Sequence, residues 1–338
     1  VIGIITEGRQ IGGAEILCLD LAEWLYESGE KVWLYIGTGG KDQITQRAKQ
    51  SGVRMIEVKD LTSNCEASES VFLYGTKLIG QQENLAARVN RARKIFAFVG
   101  GFGEDYVDTR YLRVDSFWCE VDAIRKFFVS RGISEQMFVR SRIPTIVEAV
   151  DRERIFGELF TFIVIARLFP RKCVDQAISA FKMLEGDYVL LIIGDGSERR
   201  KLEIFADDDY RIVFLGLIED RLTMQTLLSC SDCFLSPSEW EGCSRIVREA
   251  MGLGVPVIAT EGFYRHGNEM WGDGTPEIVF HGQTGLLRPA NDVQRLTELM
   301  DSMVRDERLR MRLSRDALDF IKSDNVVSGM KCLDLLRS

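Results

Sequence analysis

Short apolar runs recur along the chain, separated by loops rich in Gly and polar residues and by segments of helical spacing. The run VIGIIT opens the sequence and leads through GRQIGG into AEILCLDLAEWLYESGE, whose apolar positions recur at intervals of three and four. KVWLYIG, the helical KDQITQRAKQSG and VRMIEV follow, and the alternation continues through SVFLYG, KIFAFVGG and SFWCE. These runs are continuously apolar rather than alternating, which is the pattern of strands buried on both faces in a parallel sheet.

A polar, Pro-containing stretch, RSRIPTIVEAVDRERIFGE, breaks the rhythm. A second series starts at FTFIVIARL and runs through YVLLIIGDG, RIVFLG, CFLSPS and VPVIAT, again with helical segments between. The pattern predicts an α/β protein of two successive Rossmann-like α/β/α domains facing a central cleft, with ligands at the carboxyl ends of the strands.

Length and composition agree with this reading. A chain of 338 residues exceeds the usual single core, and 46% hydrophobic with 28% charged residues is an ordinary globular balance. The longest apolar runs fall short of the roughly 20 residues that span a bilayer, and no targeting segment precedes the first strand. The net charge of −8 lies mostly on residues 151–338 and disfavours a nucleic-acid partner. Eight cysteines lack framework spacing, which points to a reducing, cytoplasmic setting. The lone Cys230–Cys233 pair reads as buried thiols at a helix-to-strand junction rather than a zinc site.

The densest chemistry lies in SPSEWEGCSRIVREAMGLGVPVIAT, residues 236–260. Here Glu241 stands near the start, and Glu249 on the first turns, of a helix that opens from a Gly-containing loop and precedes a buried strand. Backbone N–H groups at such a helix start can hold an anion. Upstream, ARLFPRK places Arg167 and Lys172 after a predicted strand, where two cations can converge on one anion. Gly194-Asp195-Gly196 is a turn whose small residues allow close approach to a ligand, and Phe214-Leu215-Gly216 closes a further strand. Singly these are weak: Glu249 also reads as a solvated helix carboxylate, Arg167 as a surface cation and Asp195 as a turn residue. Together they describe a diphosphate-sized cationic pocket with a carboxylate able to accept two hydroxyl hydrogen bonds, which suits a nucleoside diphosphate.

The order R-x4-K, GDG, FLG, E-G-x7-E-A-x4-G-x-P-V-I-A-T and P-E-I-V…G-x-T-G-L-L, preceded by an N-terminal GGAE, resembles the retaining GT-B glycosyltransferases of the "group 1" family over nearly the whole chain. The resemblance implies a nucleotide-sugar-dependent enzyme of carbohydrate biosynthesis, built as an acceptor-side domain at 1–145, a donor-binding domain at 146–320 and a segment, 321–338, that crosses back to the first domain. It implies that Arg167 and Lys172 neutralise the leaving diphosphate, that Glu249 binds the ribose hydroxyls, and that Glu241 lies against the donor sugar. Gly242, Cys243 and Ser244 would lie beside sugar and phosphate, and Gly12 and Gly13 would let the first domain's loop approach the diphosphate. Front-face attack, in which the leaving phosphate oxygen takes the acceptor proton, needs neither a separate base nor a cofactor. No metal is expected, because the cations stand in for one, and Asp207-Asp208-Asp209 falls in a helix-terminal turn.

Two departures from the family stand out. A first-domain histidine beside the donor sugar is missing, with Gly100-Gly101 at the corresponding strand end. About ten residues are inserted in EGFYRHGNEMWGDGT, where His266, Glu269, Trp271 and Asp273 either read a sugar or acceptor, with Trp271 as stacking platform, or form a surface flap. His281 reads as a turn residue. Arg88, Arg91, Arg93 and Lys94, and Arg125 and Lys126 beside Phe127 and Phe128, read either as solvated helix faces or as a weak peripheral membrane contact suited to a lipid-linked acceptor; a glycan or a small-molecule acceptor fits as well. The rival functions are a sugar-nucleotide epimerase on the same fold, a degenerate nucleotide-sugar-binding protein, and a dehydrogenase, which GDGSER disfavours for want of a third glycine.

Overall fold

A computed structural model describes residues 1–6, 13–36, 42–57, 70–74, 83–102, 110–148 and 157–337. The chain divides into two compact units, residues 1–144 with 324–338, and residues 145–323.

In the first unit the described strands are β1 (Ile2–Thr6), β2 (Val32–Ile36), β3 (Arg54–Glu57), β4 (Ser70–Tyr74), β5 (Lys94–Phe98), β6 (Ser116–Cys119) and β7 (Phe138–Arg140). They form one parallel sheet in the order β3-β2-β1-β4-β5-β6-β7. Helices α1 (Gly13–Glu27), α2 (Asp42–Ser51), α3 (Glu83–Val89) and α4 (Asp122–Ser130) occur between strands. Successive strand side chains point to opposite faces, so each strand feeds two cores. Ile4, Leu34, Phe72 and Phe96 pack with Leu21 and Leu25 of α1 on one face, while Ile5, Tyr35, Val71 and Leu73 pack with Ala86 and Val89 of α3 on the other. Trp118 is fully buried and donates its indole N–H to Ser141 O at 2.6 Å, which satisfies its one polar atom.

The second unit repeats the arrangement without repeating the sequence. Strands β8 (Phe160–Ile165), β9 (Tyr188–Ile193), β10 (Ile212–Gly216), β11 (Cys233–Ser236) and β12 (Val257–Glu261) are joined by β15 (Leu286–Pro289) in the order β10-β9-β8-β11-β12-β15, all parallel. Phe162, Leu190, Ile192 and Leu235 face Ile178 and Phe181 of α5 (Val174–Lys182). Ile163, Leu191, Phe234 and Val257 face Val247 and Met251 of α8 (Arg245–Gly252). Between these helices come α6 (Arg199–Ala206) and α7 (Arg221–Ser229), and α9 (Val293–Arg305) follows β15. Asp220 and Asp292 cap α7 and α9, each accepting a backbone N–H at 2.8 Å.

Strands β13 (Phe263–His266) and β14 (Glu269–Gly272) form a separate antiparallel hairpin, inside the stretch read from sequence as an insertion. The last helix, α10 (Glu307–Arg337), gives Ala317 and Ile321 to the core of the second unit and Cys332 and Leu336 to that of the first. Within the first unit Asp324 of this helix pairs with Arg142 at 2.6 Å.

Candidate functional site

In the second sheet β9 and β10 lie on one side of β8, while β12 and β15 lie beyond β11. Strand order therefore reverses between β8 and β11, and the segments leaving their carboxyl ends, 166–173 and 237–244, flank the crevice where doubly wound sheets bind ligands.

The turn after β8 is a short 3₁₀ segment, Pro170–Lys172, started by a proline whose fixed φ suits it. Cys173, in the left-handed region at φ 48°, reverses the chain into α5. The turn brings Lys172 Nζ onto Oε1 of Glu241. Arg171 stands 3.8 Å from the other carboxylate oxygen, donates to Trp240 O at 2.6 Å, and lies 4.2 Å from the Trp240 ring centroid. Glu239 N–H donates back to Arg171 O at 2.9 Å, so the two segments are stitched through main chain as well. Burial alone pushes the Glu241 carboxyl up, but the charges of Lys172 and Arg171, with hydrogen bonds from Lys172 and Ser238, outweigh it and hold the group below the usual carboxylate range. Glu241 is therefore a fixed anion and a hydrogen-bond acceptor, not a proton donor at neutral pH. In the sequence only adjacency to Lys172 and Glu241 marks Arg171 and Trp240.

The other predicted residues fall around this pair. Arg167 is exposed, with its guanidinium 5.5 Å from the Phe169 ring centroid, and the cation that joins Lys172 at Glu241 is Arg171. Glu249 is only 4% exposed on α8, which removes its reading as a solvated carboxylate; its Oε1 accepts from Arg221 at 3.2 Å. Gly242, Cys243 and Ser244 lead directly into α8, with Ser244 at its N-cap. Gly194 and Gly196 make their close approaches to the chain itself. A Cβ at Gly194, whose φ is +130°, would sit 1.8 Å from Ala166 O, and one at Gly196 would sit 2.4 Å from Leu168 O. These glycines let the turn after β9 lie on the 166–168 segment, where Leu168 N–H donates to Asp195 O at 2.8 Å. In the first unit Gly13 opens α1, and Gly12 lies outside the described residues. At Gly100 a Cβ would meet the Phe98 ring at 2.6 Å, and Phe98 is stacked on Tyr74, so a side chain there would displace that stack.

The inserted stretch is anchored on the segment that carries Glu241. Gly262 packs so closely that a Cβ would fall 1.7 Å from Glu239 O, and Gly274 N–H donates to Glu241 O at 2.9 Å. Asp273 closes the hairpin base: its carboxylate accepts from Gly262 N at 3.1 Å and Thr275 N at 2.7 Å and is 5% exposed, so it is turned inward rather than toward a ligand. Burial, with the Glu241 charge adding, pushes its pKa up to about 7 against the backbone donors that favour the anion. His266, Glu269 and Trp271 share one face of the hairpin with Tyr264, since Tyr264 pairs with Trp271 and His266 with Glu269.

Arg288, 1% exposed on β15, ties the two flanks together. It donates to Gln176 Oε1 at 2.7 Å on α5, to Pro237 O at 3.4 Å and to Pro289 O at 3.0 Å. Asp207 ends α6 in the left-handed region, Asp208 follows at φ 52°, and Asp209 pairs with Arg211 at 2.8 Å. Cys230 caps α7, and burial pushes the Cys233 thiol well above its ordinary range. His281 Nδ1 accepts from Leu287 N at 2.9 Å in a turn. Phe127 and Phe128 of α4 are buried, and Arg125 and Lys126 pair with Asp122. Arg91 and Arg93 lie in the turn after α3, and Lys94 opens β5, so the other basic segment is not one continuous helix. Among the described residues no helix is long and apolar enough to cross a membrane, and no group of three His, Cys, Asp or Glu side chains could hold a metal ion.

Known proteins share this architecture. The profile of the family "Glycosyl transferases group 1" matches residues 148–319. The N-acetyl-alpha-D-glucosaminyl L-malate synthase of Bacillus anthracis is 30% identical over 179 residues, which cover 49% of this chain and 43% of that protein. The UDP-Gal:alpha-D-GlcNAc-diphosphoundecaprenol alpha-1,3-galactosyltransferase of Escherichia coli is 29% identical over 152 residues, 41% of this chain and 38% of that one. The chain thus spans about half the length of the curated relatives it matches. The crystal structure of Anabaena HepE in complex with UDP and glucose superposes with a TM-score of 0.82 at 16% identity, covering 99% of both chains, and shares the two-domain GT-B fold. With the family profile matching just over half of this chain and the fold that of GT-B enzymes, the chain belongs to the group 1 glycosyltransferases.

Proposed function

We propose that the protein transfers a sugar from a nucleoside-diphosphate sugar to an acceptor with retention at the anomeric carbon, without a metal or other cofactor. The observation that carries this reading is the pairing of Lys172 with Glu241 at the switch point of the second sheet, with Arg171 alongside. As the bond from the anomeric carbon to the phosphate oxygen breaks, negative charge gathers on the diphosphate. Lys172 and Arg171, already held at Glu241, stabilise the charge without having to reorganise, with Arg167 on the same segment adding to them. The acceptor oxygen bonds to the same face of the anomeric carbon, and its proton passes to the departing phosphate oxygen.

An ionised Glu241 suits contact with donor-sugar hydroxyls and does not serve as an acid. Glu249, held within α8, accepts from the ribose hydroxyls, a role in which Arg221 would share the carboxylate. Gly242, Cys243 and Ser244 lie along sugar and phosphate. UDP in the HepE complex, and UDP-galactose and a lipid-linked sugar in the name of the Escherichia coli relative, support a nucleotide-sugar donor and a glycan or lipid-linked acceptor.

The test is the slow hydrolysis of sugar nucleotides followed by proton NMR. Retention requires that the first sugar released carry the donor's anomeric configuration before mutarotation. First release of the opposite anomer would contradict the mechanism.

A further inference from the structure

We infer that Arg221, at the start of α7, is a positioning residue: it fixes the Glu249 carboxylate so that both ribose hydroxyls are required, and the site selects a ribonucleotide over its 2′-deoxy counterpart. This rests on the reading of Glu249 as the ribose acceptor, and adds the residue that orients it and the nucleotide class that results. Nη2 of Arg221 donates to Glu249 Oε1 at 3.2 Å and to Ile146 O at 2.6 Å. Both side chains are almost wholly buried, 11% exposed for Arg221 and 5% for Glu249. One turn further along α7 the fully buried Gln225 accepts from Glu148 N at 3.0 Å through its Oε1. The start of α7 is itself set by Asp220, which accepts from Thr223 N at 2.8 Å and from the Thr223 hydroxyl at 2.5 Å. All of these residues lie in the second unit.

Arg221 does two things to the carboxylate. Taking a carboxylate out of water is costly without a charged partner, and Arg221 supplies one. It also limits how the carboxylate can turn. The torsions of an untethered glutamate would let it follow whichever hydroxyl is present. Arg221 cannot move with it, because the same nitrogen is tied to a main-chain carbonyl of a stretch that Gln225 also holds. The 2′ and 3′ hydroxyls of ribose stand on adjacent carbons on one side of the ring, where one carboxylate can accept from both. Against a fixed carboxylate, a nucleotide without the 2′ hydroxyl leaves a buried acceptor unmatched, and a site built around a hydroxyl rejects the analogue that lacks it. A carboxylate released from Arg221 turns toward the remaining hydroxyl and loses that discrimination. If Arg221 served only to fasten residues 146–148 to α7, its loss would weaken both nucleotides alike.

The experiment is calorimetric titration of the full chain with UDP, GDP and ADP, each against its 2′-deoxy counterpart, for wild type, Arg221→Met, Arg221→Lys and Glu249→Ala. The quantity read is the ratio of the two dissociation constants within each protein. Partial unfolding of a variant leaves that ratio unchanged, because both constants scale with the folded fraction. Wild type should bind the best ribonucleotide about tenfold tighter than its 2′-deoxy form. The preference should fall to about twofold or less in Arg221→Met and Glu249→Ala. Arg221→Lys keeps the charge but not the planar fork, and should lose part of the preference. An undiminished preference in Arg221→Met, or in Arg221→Lys where the Met variant does not fold, overturns the positioning role and leaves the ribose role of Glu249 standing. A wild type without preference, or a preference kept by Glu249→Ala, removes the ribose role and the positioning role with it. Binding of none of these nucleotides overturns the donor reading as well.

Discussion

Lys172 donates to Glu241 across the point where the strand order of the second sheet reverses, joining the turn after β8 to the segment after β11. The two side chains are 16% and 13% exposed, so their charges are screened less than those of a surface pair. In the absence of a ligand the carboxylate neutralises a cation that a diphosphate would otherwise attract.

Glu241→Gln should therefore separate binding from turnover. Leaving Lys172 uncompensated strengthens nucleoside-diphosphate binding by roughly tenfold, while sugar transfer falls by about a hundredfold because the contact to the donor sugar is lost. Lys172→Ala should weaken both. Calorimetric titration with the best-binding nucleotide, alongside donor-hydrolysis rates, reads the two effects.

Gly194→Ala should destabilise the second unit by roughly 3 kcal/mol or more. The added methyl meets Ala166 O at 1.8 Å, and a φ of +130° is hostile to any L side chain. Urea unfolding that matches wild type would show that the turn after β9 is not held against the 166–168 segment.

Asp273 should give stability a pH dependence of definite sign. Burial raises its pKa to about 7 from an ordinary 3.8, so the folded chain keeps a proton that the unfolded chain has released. The resulting stabilisation is complete below the unfolded value and is lost as pH rises through about 7. Between pH 4 and 9 the melting temperature of the wild type should therefore fall relative to that of Asp273→Asn as the pH rises toward 7, and the difference should level off above it. A constant difference would place the titration elsewhere.

Arg288→Met should cost about 3 kcal/mol or more, because Pro237 O and Gln176 each lose a donor in a buried setting. Arg288→Lys should recover part of the loss. Equal unfolding midpoints for Arg288→Met and wild type would show that the cross-tie carries no energy.

The strands that the sequence reveals are the uninterrupted ones. FTFIVI and YVLLII are apolar throughout because both faces of β8 and β9 are covered, and their signal is local. β15 escapes that reading because Leu286–Pro289 contains a charged residue and a proline. Arg288 enters the core only because Gln176 and Pro237, far away in sequence, supply acceptors. The hairpin did carry a local sign: Gly267-Asn268 between aromatic-containing runs is a two-residue turn, with Gly267 at φ 58°. The resemblance to the family instead makes the run an insertion, either a sugar- or acceptor-reading loop or a surface flap. At the site, Lys172, Glu241 and Glu249 stand out by spacing and order. The pairing of Arg171 with Glu241, the Arg221 contact to Glu249 and the inward turn of Asp273 depend on tertiary neighbours that no local pattern encodes.

In the proposed reaction the switch point of the second unit holds a nucleoside diphosphate. Thermal unfolding with UDP, GDP, ADP, dTDP and NAD near millimolar concentration, on wild type, Lys172→Ala and Glu249→Ala, tests it most directly. A ligand at 100 times its dissociation constant adds about 2.7 kcal/mol, enough to raise the midpoint by several degrees. One nucleoside diphosphate should stabilise the wild type, and both variants should lose most of that shift. No stabilisation by any of them, or stabilisation by NAD alone, would contradict it.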